Sequence, residues 1–197
     1  MNLELSTPRD WWDSSSPATL LRSGGVVLAG SAFVAACAHV AIPLWFTPVP
    51  LTLQPFAVLL LGLLLSPRMA AATLATYLAE GALGLPVFTP GPVMAGGLAH
   101  LLGPTGGYLL AYPAAAAFIS SLWKRGSRGF SSAFASAAAG NVLILASGAI
   151  WLTAVSHSPA RTVLALAVVP FLPGDALKVT AAAALASGWQ RLRRSGR

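Results

Sequence analysis

Residues 171–179, FLPGDALKV, interrupt the last apolar run of the chain. Proline lacks an amide N–H and clashes with the preceding turn, so Pro170 and Pro173 predict a break in the helix. The helix is expected to restart at Pro173 with Asp175 in its first turn, because proline is tolerated there. Asp175 and Lys178 then share a face, and each charge costs at least about 2.5–3.5 kcal/mol in mid-bilayer unless it is paired or faces a cavity. The stretch predicts either a structural ion pair or a polar binding site, and the broken helix favours the binding site.

The rest of the chain has the composition of an integral membrane protein. Of its 197 residues, 56% are hydrophobic and 9% are charged, with a mean hydropathy of +0.73. A soluble domain carries about 25% charged residues. So few charges cannot cover a surface that faces water, and several apolar runs reach the roughly 18 residues that span a bilayer. Motifs of soluble enzymes such as GxSxG or the Walker lysine are absent, which disfavours an enzyme.

Six apolar runs of helical length divide the chain, and none alternates as a barrel strand does. The predicted spans lie near residues 24–42, 51–66, 69–85, 104–123, 130–155 and 162–188. The predicted fold is therefore an all-α integral membrane protein with six transmembrane helices. Its membrane domain covers residues 24–190, between an N-terminal segment (1–23) and a basic tail (191–197).

The basic residues predict the orientation of these helices, because cytoplasmic loops collect Lys and Arg. Ten of the twelve Lys and Arg residues lie in the N-terminal segment, the second and fourth loops, and the C-terminal tail. Arg161 alone lies on the other side, and Lys178 lies within the last span. Both termini are therefore expected in the cytoplasm and the protein in the cell membrane. The basic tail is expected to rest on anionic lipid headgroups, and it gives no reason to expect a nucleic acid partner.

Two long loops on the opposite side are uncharged and rich in Pro and Gly. We name them loop 1 (43–55, PLWFTPVPLTLQP) and loop 3 (86–107, PVFTPGPVMAGGLAHLLGPTGG), the first and third connections between spans. Their proline and glycine content argues against helix. Because they carry apolar side chains and no charge, they are expected to fold down over the bundle and cover a ligand cavity that opens to the outside.

The remaining polar residues in the spans have weaker interpretations. Asn141 either lines the same cavity or forms an interhelical hydrogen bond. Glu80, near the end of the third span, is expected to reach water. The three histidines lack the spacing of metal ligands, so no metal site is predicted. Cys37, the single cysteine, excludes an internal disulfide and is expected to be a packing residue.

Four segments resemble one known family, and they occur in the order and at the positions where that family carries them. These segments are VPLTLQ (49–54), GLPVF (84–88), GPTGGYLLAYP (103–113) and FLPGDALK (171–178). The chain resembles the BioY family, the biotin-specific substrate-binding components of energy-coupling factor (ECF) transporters, over about residues 25–190. Composition alone indicates only a six-span protein with a polar site, so biotin enters through this resemblance.

The resemblance implies a transporter component without a cofactor or catalytic residues. Such a protein takes biotin from the outside and delivers it to the cytoplasm with an ECF transmembrane coupling subunit and two ATPase subunits. In related proteins, small residues four apart on the first helix contact the coupling subunit. Here the candidate pairs are Ala32 with Ala36, and Ser31 with Ala35. Other hypotheses are transport of another vitamin or small organic solute, transport of biotin without partners, and a membrane enzyme or structural protein.

The chemistry of biotin assigns roles to the candidate site residues. Asp175 is expected to accept hydrogen bonds from the ureido N–H groups, and Lys178 to donate one to the ureido carbonyl. The expected walls are Trp45, Phe88 and Tyr108, with Asn141 also in the cavity. Residues 84–123 contain no Lys or Arg, so neutral donors are expected to hold the carboxylate of biotin. These donors are Thr89, the backbone N–H groups of Gly96 and Gly97, and Gln54 with Thr52; His100 is the titratable alternative and is expected to be exposed.

Overall fold

The computed structural model describes residues 17–90 and 97–195, and most of these residues are helical. The helices are α1 (Pro17–His39), α2 (Gln54–Leu64), α3 (Pro67–Ala82), α4 (Leu98–Leu102), α5 (Gly106–Arg125), α6 (Phe130–Ser156), α7 (Ala160–Ala167) and α8 (Leu172–Ser195). Helix α1 begins well before the predicted residue 24. Its Gly24 and Gly25 do not end it, because a helical glycine costs only about 1 kcal/mol relative to alanine.

Two departures from the predicted secondary structure lie in the long loops. A short antiparallel hairpin joins β1 (Ala41–Ile42), just before loop 1, to β2 (Leu51–Thr52) within it, and Ala41 pairs with Thr52. Helix α2 consequently begins at Gln54, later than residue 51, where the second span was predicted to begin. Loop 3 contains the short helix α4, although its glycine and proline content argued against helix. Helix α4 buries His100 and Leu101, and this packing stabilises a helix that local composition disfavours.

The break before the last long helix lies where the prolines predict it. Helix α7 ends at Ala167, and a 3₁₀ turn (Val169–Phe171) leads into α8. Asp175 lies in the first turn of α8. The amide N–H groups of a first turn have no partners within the helix, so proline costs nothing there.

The helices pack with loops 1 and 3 at one end, which we call the loop end. At the opposite end, the basic end, lie Arg68, Lys124, Arg125 and Arg128. Close glycine contacts fix α5 against α6 in antiparallel orientation. A Cβ on Gly148 would lie 2.2 Å from the Tyr108 ring, and a Cβ on Gly140 would lie 2.2 Å from Ile119. Small residues therefore allow the backbones to approach closely, as is typical of helices packed in lipid.

Much of the outward surface is apolar. Within the part of the chain that the structure describes, three segments are long and apolar enough to cross a membrane: Ala18–His39, Phe130–Ser156 and Ala160–Ser195. Helices α2, α3 and α5 are shorter or less apolar. Large apolar side chains such as Leu28, Val142, Ile150, Leu177 and Leu185 are exposed on the helices. A surface of this kind matches a bilayer rather than water.

The core forms two clusters along the bundle. The cluster at the loop end includes Cys37, which is buried as the packing interpretation predicts, and surrounds a cavity. The cluster at the basic end is built mainly of alanines from α6 and α8 around Trp123 and Ile119. The dense cluster fills the basic end, whereas residues of loops 1 and 3 line the cavity at the other end.

Candidate functional site

A cavity of about 550 Å³ of empty space, its open mouth included, lies between the helices beneath loops 1 and 3. Its walls combine polar and apolar side chains from both loops and from α5, α6 and α8. They are Val49, Pro50, Thr52, Gln54, Pro55, Thr89, His100, Thr105, Tyr108, Leu109, Tyr112, Asn141, Ile144, Leu145, Phe171, Asp175 and Lys178. Lys178 is the only Lys or Arg among these lining residues.

Asp175 and Lys178 form a buried ion pair in this cavity. Lys178 Nζ donates to Asp175 Oδ1 at 3.0 Å, and the two residues are 9% and 4% exposed. Asn141 Nδ2 donates to the other carboxylate oxygen at 3.2 Å. Asn141 therefore lines the cavity and also forms an interhelical hydrogen bond, so both interpretations of this residue apply. The Oδ1 atom of Asn141 is buried and has no hydrogen-bond partner within the described residues.

Each member of this group retains unused hydrogen-bonding capacity. A carboxylate has about four acceptor positions and an ammonium group has three donors. Asp175 uses two acceptor positions and Lys178 uses one donor. An unpaired buried polar group costs free energy, so the arrangement suits a ligand that presents both N–H donors and a carbonyl acceptor.

A second polar group ties loop 1 to loop 3 at the mouth of the cavity. Gln54 Nε2 donates to the Tyr77 hydroxyl at 2.5 Å, and Thr89 donates to Gln54 Oε1 at 3.1 Å. Thr52 contacts the same oxygen at 3.5 Å, and Tyr77 donates to the Val87 carbonyl at 3.1 Å. Gln54, Thr52 and Thr89 therefore lie at the cavity as expected, but their side chains are bonded mainly to the protein.

The three aromatic residues expected as cavity walls have different positions. Tyr108 lines the cavity, and its hydroxyl donates to the Ala167 carbonyl at 2.7 Å. Phe88 is buried but lies outside the lining, packed edge-on against Tyr77 at 5.5 Å. Trp45 is 96% exposed and contacts Phe46 instead. The expectation for Trp45 does not hold in this structure, because the hairpin of loop 1 directs its tip away from the bundle.

Two titratable residues also differ from expectation. His100 is 5% exposed rather than solvent-exposed, lines the cavity, and packs on Phe88 with ring centroids 4.8 Å apart. Helix α4 carries it inward, which the glycine-rich sequence of loop 3 did not indicate. Glu80 is partly buried and accepts a hydrogen bond from Ser31 of α1, so it is paired within the bundle rather than reaching into water.

Of the two glycines expected near the carboxylate, the structure describes Gly97 alone. Gly97 is the N-cap of α4 with a φ of 68°, and it does not line the cavity. Gly96 lies outside the described residues.

The small-residue pairs of α1 separate into two faces. Ala32 and Ala36 are exposed on the outward face. Ser31 is fully buried against Glu80, and Ala35 is partly buried. Only the first pair is accessible to a partner helix.

Sequence reasoning missed Thr105 and Tyr112, which both line the cavity from α5. The Oγ1 atom of Thr105 is buried and has no hydrogen-bond partner in the described part of the chain. Their spacing of seven residues, with Tyr108 between them, places all three on one helix face and was available as a signal. Among the described residues, no group of three His, Cys, Asp or Glu is placed to hold a metal.

Comparison with known proteins identifies the family of this chain. A model of the BioY family matches residues 12–195. The chain belongs to the BioY family. The probable biotin transporter BioY of Pyrococcus horikoshii is 40% identical over 144 residues, which cover 73% of this chain and 82% of that protein. The biotin transporter BioY of Thermotoga maritima is 36% identical over 162 residues, 82% of this chain and 92% of that protein.

A solved structure extends the BioY likeness to three dimensions. The S-component for biotin from an ECF-type ABC transporter superposes with a TM-score of 0.80 at 28% identity. The match covers 92% of this chain and 95% of the other. Three of the four BioY-like segments, 49–54, 103–113 and 171–178, supply cavity-lining residues, and segment 84–88 packs behind them.

Proposed function

We propose that this chain is the biotin-binding membrane component of a vitamin uptake transporter. Its cavity takes biotin from outside the cell, beneath loops 1 and 3. The chain has six transmembrane helices (α1, α2, α3, α5, α6, and α7 with α8), both termini in the cytoplasm, and lies in the cell membrane. This orientation is supported by the ten basic residues at the basic end and the termini, and by the uncharged loops at the other end.

The observation that carries the proposal is the hydrogen-bonding capacity of Asp175, Lys178 and Asn141. The ureido ring of biotin has two N–H donors and one carbonyl. Asp175 and the unpartnered Oδ1 of Asn141 supply acceptors for the two N–H groups, and Lys178 supplies a donor for the carbonyl. The apolar faces of the bicycle pack on Tyr108, Ile144 and Phe171. An analogue without the ureido group leaves buried polar groups unpaired and is rejected.

Transport then depends on partners that the family context suggests. An ECF coupling subunit contacts the outward face of α1 at Ala32 and Ala36, and two ATPase subunits hydrolyse ATP, so the chain itself is not an enzyme. The exposure of this pair supports the assignment, since small residues let two helices approach closely in lipid.

The direct test is binding of labelled biotin to the purified protein in detergent. Biotin at micromolar concentration is expected to raise the melting temperature and to be retained stoichiometrically, because a ligand that binds only the folded state stabilises it. Riboflavin and thiamine serve as controls and are expected to leave the melting temperature unchanged. Absence of any stabilisation by biotin, in a protein that elutes as a folded species, would refute the proposed function.

A further inference from the structure

Most polar side chains at the mouth of the cavity are already bonded to the protein. Gln54, Thr52 and Thr89 bond to one another, and the Tyr108 hydroxyl donates to a backbone carbonyl. Thr105 differs, because its Oγ1 is buried, lies at the cavity wall and has no hydrogen-bond partner in the described part of the chain. Buried polar atoms in native proteins are nearly always paired, so this hydroxyl indicates a partner that the protein does not supply.

The local geometry of Thr105 excludes its usual structural role. A threonine immediately before a helix commonly accepts a hydrogen bond from an amide N–H of the first turn. Thr105 is the N-cap of α5, but its backbone angles (φ −91°, ψ −5°) are helical and its side chain makes no cap bond. The hydroxyl is therefore not needed to end or begin the helix, and it remains available as a donor.

The position of Thr105 along the cavity identifies which end of a ligand it meets. The Tyr108 ring packs at Gly148, and Ile119 packs at Gly140. Asn141, next to Gly140, therefore lies farther from the loop end than Thr105. A Cβ on Gly107 would lie 2.1 Å from the Cβ of Trp151, and Trp151 is ten residues from Asn141 on α6, about 15 Å along a helix. The carboxylate of biotin lies about 10 Å from its ureido ring, from ordinary bond lengths of about 1.5 Å. A hydrogen bond of about 3 Å at each end extends this reach to about 16 Å, so a ligand whose ring bonds to Asp175 and Asn141 can present its carboxylate to Thr105.

We propose that Thr105 is a specificity-determining residue that donates a hydrogen bond from Oγ1 to the carboxylate of the ligand. The inference rests on the proposed function and replaces Gln54, Thr52 and Thr89 as the donors expected from the sequence. Thr105 also lies at the positive end of the α5 dipole, which favours an anion. Selection of a solute with a free carboxylate therefore depends on a neutral hydroxyl rather than on a basic side chain.

The test compares biotin with biotinamide, in which the carboxylate is replaced by a neutral amide. Thr105→Val removes the hydroxyl but keeps the shape of the side chain. We expect it to lower the affinity for biotin about 10-fold or more and the affinity for biotinamide about threefold or less. The difference arises because a hydrogen bond to a charged acceptor is stronger than one to a neutral acceptor. Thr105→Ser retains the hydroxyl and is expected to restore the wild-type ratio. Thr153→Val is the matched control, since Thr153 donates to the Ala149 carbonyl and does not line the cavity.

The outcomes separate this inference from the proposed function. If wild-type protein binds biotin but Thr105→Val reduces both ligands equally or neither, the assignment of Thr105 is wrong while the proposed function stands. Equal reduction is the result expected if the hydroxyl instead binds a water molecule or supports loop 3. If Thr105→Val does not yield folded protein, Thr105→Ala gives the same comparison with a smaller side chain. If wild-type protein does not bind biotin, the proposed function itself fails.

Discussion

At the scale of single residues, the buried Asp175–Lys178 pair is the feature with the largest energetic consequence. Removing one partner of a buried ion pair leaves an uncompensated charge, which is far more costly than losing the pair as a whole. The carboxylate of Asp175 also accepts a hydrogen bond from Asn141, so the positions of both Lys178 and Asn141 depend on this one carboxylate. A substitution there tests binding and structure at once.

We expect Asp175→Asn to lower biotin affinity by about one to two orders of magnitude, since a hydrogen bond to a charged group contributes about 1.5–3 kcal/mol. The amide replaces one acceptor oxygen with a donor and leaves Lys178 without its counter-ion. Isothermal titration calorimetry on size-exclusion-purified protein measures the effect. Lys178→Ala is the companion variant. Loss of expression in place of weaker binding would favour a structural pair, and wild-type affinity in both variants would contradict the site.

A second prediction at this scale concerns His100, the titratable alternative to Thr105 at the carboxylate. An ordinary histidine has a pKa near 6.5, so it is charged more at pH 6 than at pH 8 and would attract a carboxylate more strongly at the lower pH. If the neutral Thr105 hydroxyl is the donor, the preference for biotin over biotinamide stays the same at both values. We expect that constancy in competition binding. A preference that is large at pH 6 and fades by pH 8, and that disappears in His100→Gln, would assign the role to His100.

At the scale of elements, the contact between α5 and α6 determines whether the cavity wall is in place. Gly148 admits the Tyr108 ring, whose hydroxyl is held by Ala167, so the ring cannot move away freely. We expect Gly148→Ala to lower the melting temperature and weaken biotin binding, because overpacking a tight contact costs about 1–3 kcal/mol. Gly188→Ala on α8 is the matched control, as nothing lies within 4 Å of the added Cβ. A Gly148→Ala protein as stable as the control would show that the helices separate without cost.

The bonds of Gln54 give a prediction about the two loops. Gln54 joins the start of α2 to Tyr77 of α3 and to Thr89 of loop 3, so it positions the roof of the cavity rather than the ligand. We expect Gln54→Leu to accelerate dissociation of biotin and biotinamide equally, by about 30-fold, since the two shorter hydrogen bonds that are lost, to Tyr77 and Thr89, contribute about 1 kcal/mol each. Stopped-flow displacement measures both rates. Selective loss of biotin alone would mean that Gln54 contacts the carboxylate after all.

At the scale of the whole molecule, the outward face of α1 is the proposed contact surface for a coupling subunit. Ala32→Leu with Ala36→Leu is expected to reduce biotin uptake by cells that also carry the coupling subunit and ATPases, while binding to the isolated protein remains at the wild-type level. Bulky side chains prevent close approach of a partner helix but lie away from the cavity. Ala184→Leu, an exposed alanine on α8, is the control and is expected to leave uptake unchanged. Normal uptake by the α1 variant would place the docking surface elsewhere.

The sequence by itself determined the properties that follow from chain composition and local chemistry. The scarcity of charge required an apolar environment, and Pro170 and Pro173 determined the break that begins α8 at Leu172. The three-residue spacing of Asp175 and Lys178 determined that they share a face, because helix geometry is the same in any fold. The resemblance to the BioY family rested on short segments and was confirmed over residues 12–195.

Only the tertiary structure decided which polar groups remain available to a ligand. Gln54 and Thr89 have suitable chemistry, but their hydrogen bonds are used within the protein, and the sequence cannot reveal a partner that is 35 residues away. Trp45 was expected at the cavity wall and is exposed, whereas His100 was expected to be exposed and is buried. A hairpin and a short helix in the loops determine the directions of these side chains. Thr105 has no distinctive motif chemistry, and its unpaired Oγ1 is recognised only once the hydrogen bonds of Gln54, Thr52 and Thr89 are known in three dimensions. Local pattern determines which elements form, whereas burial and pairing are properties of the whole packed chain.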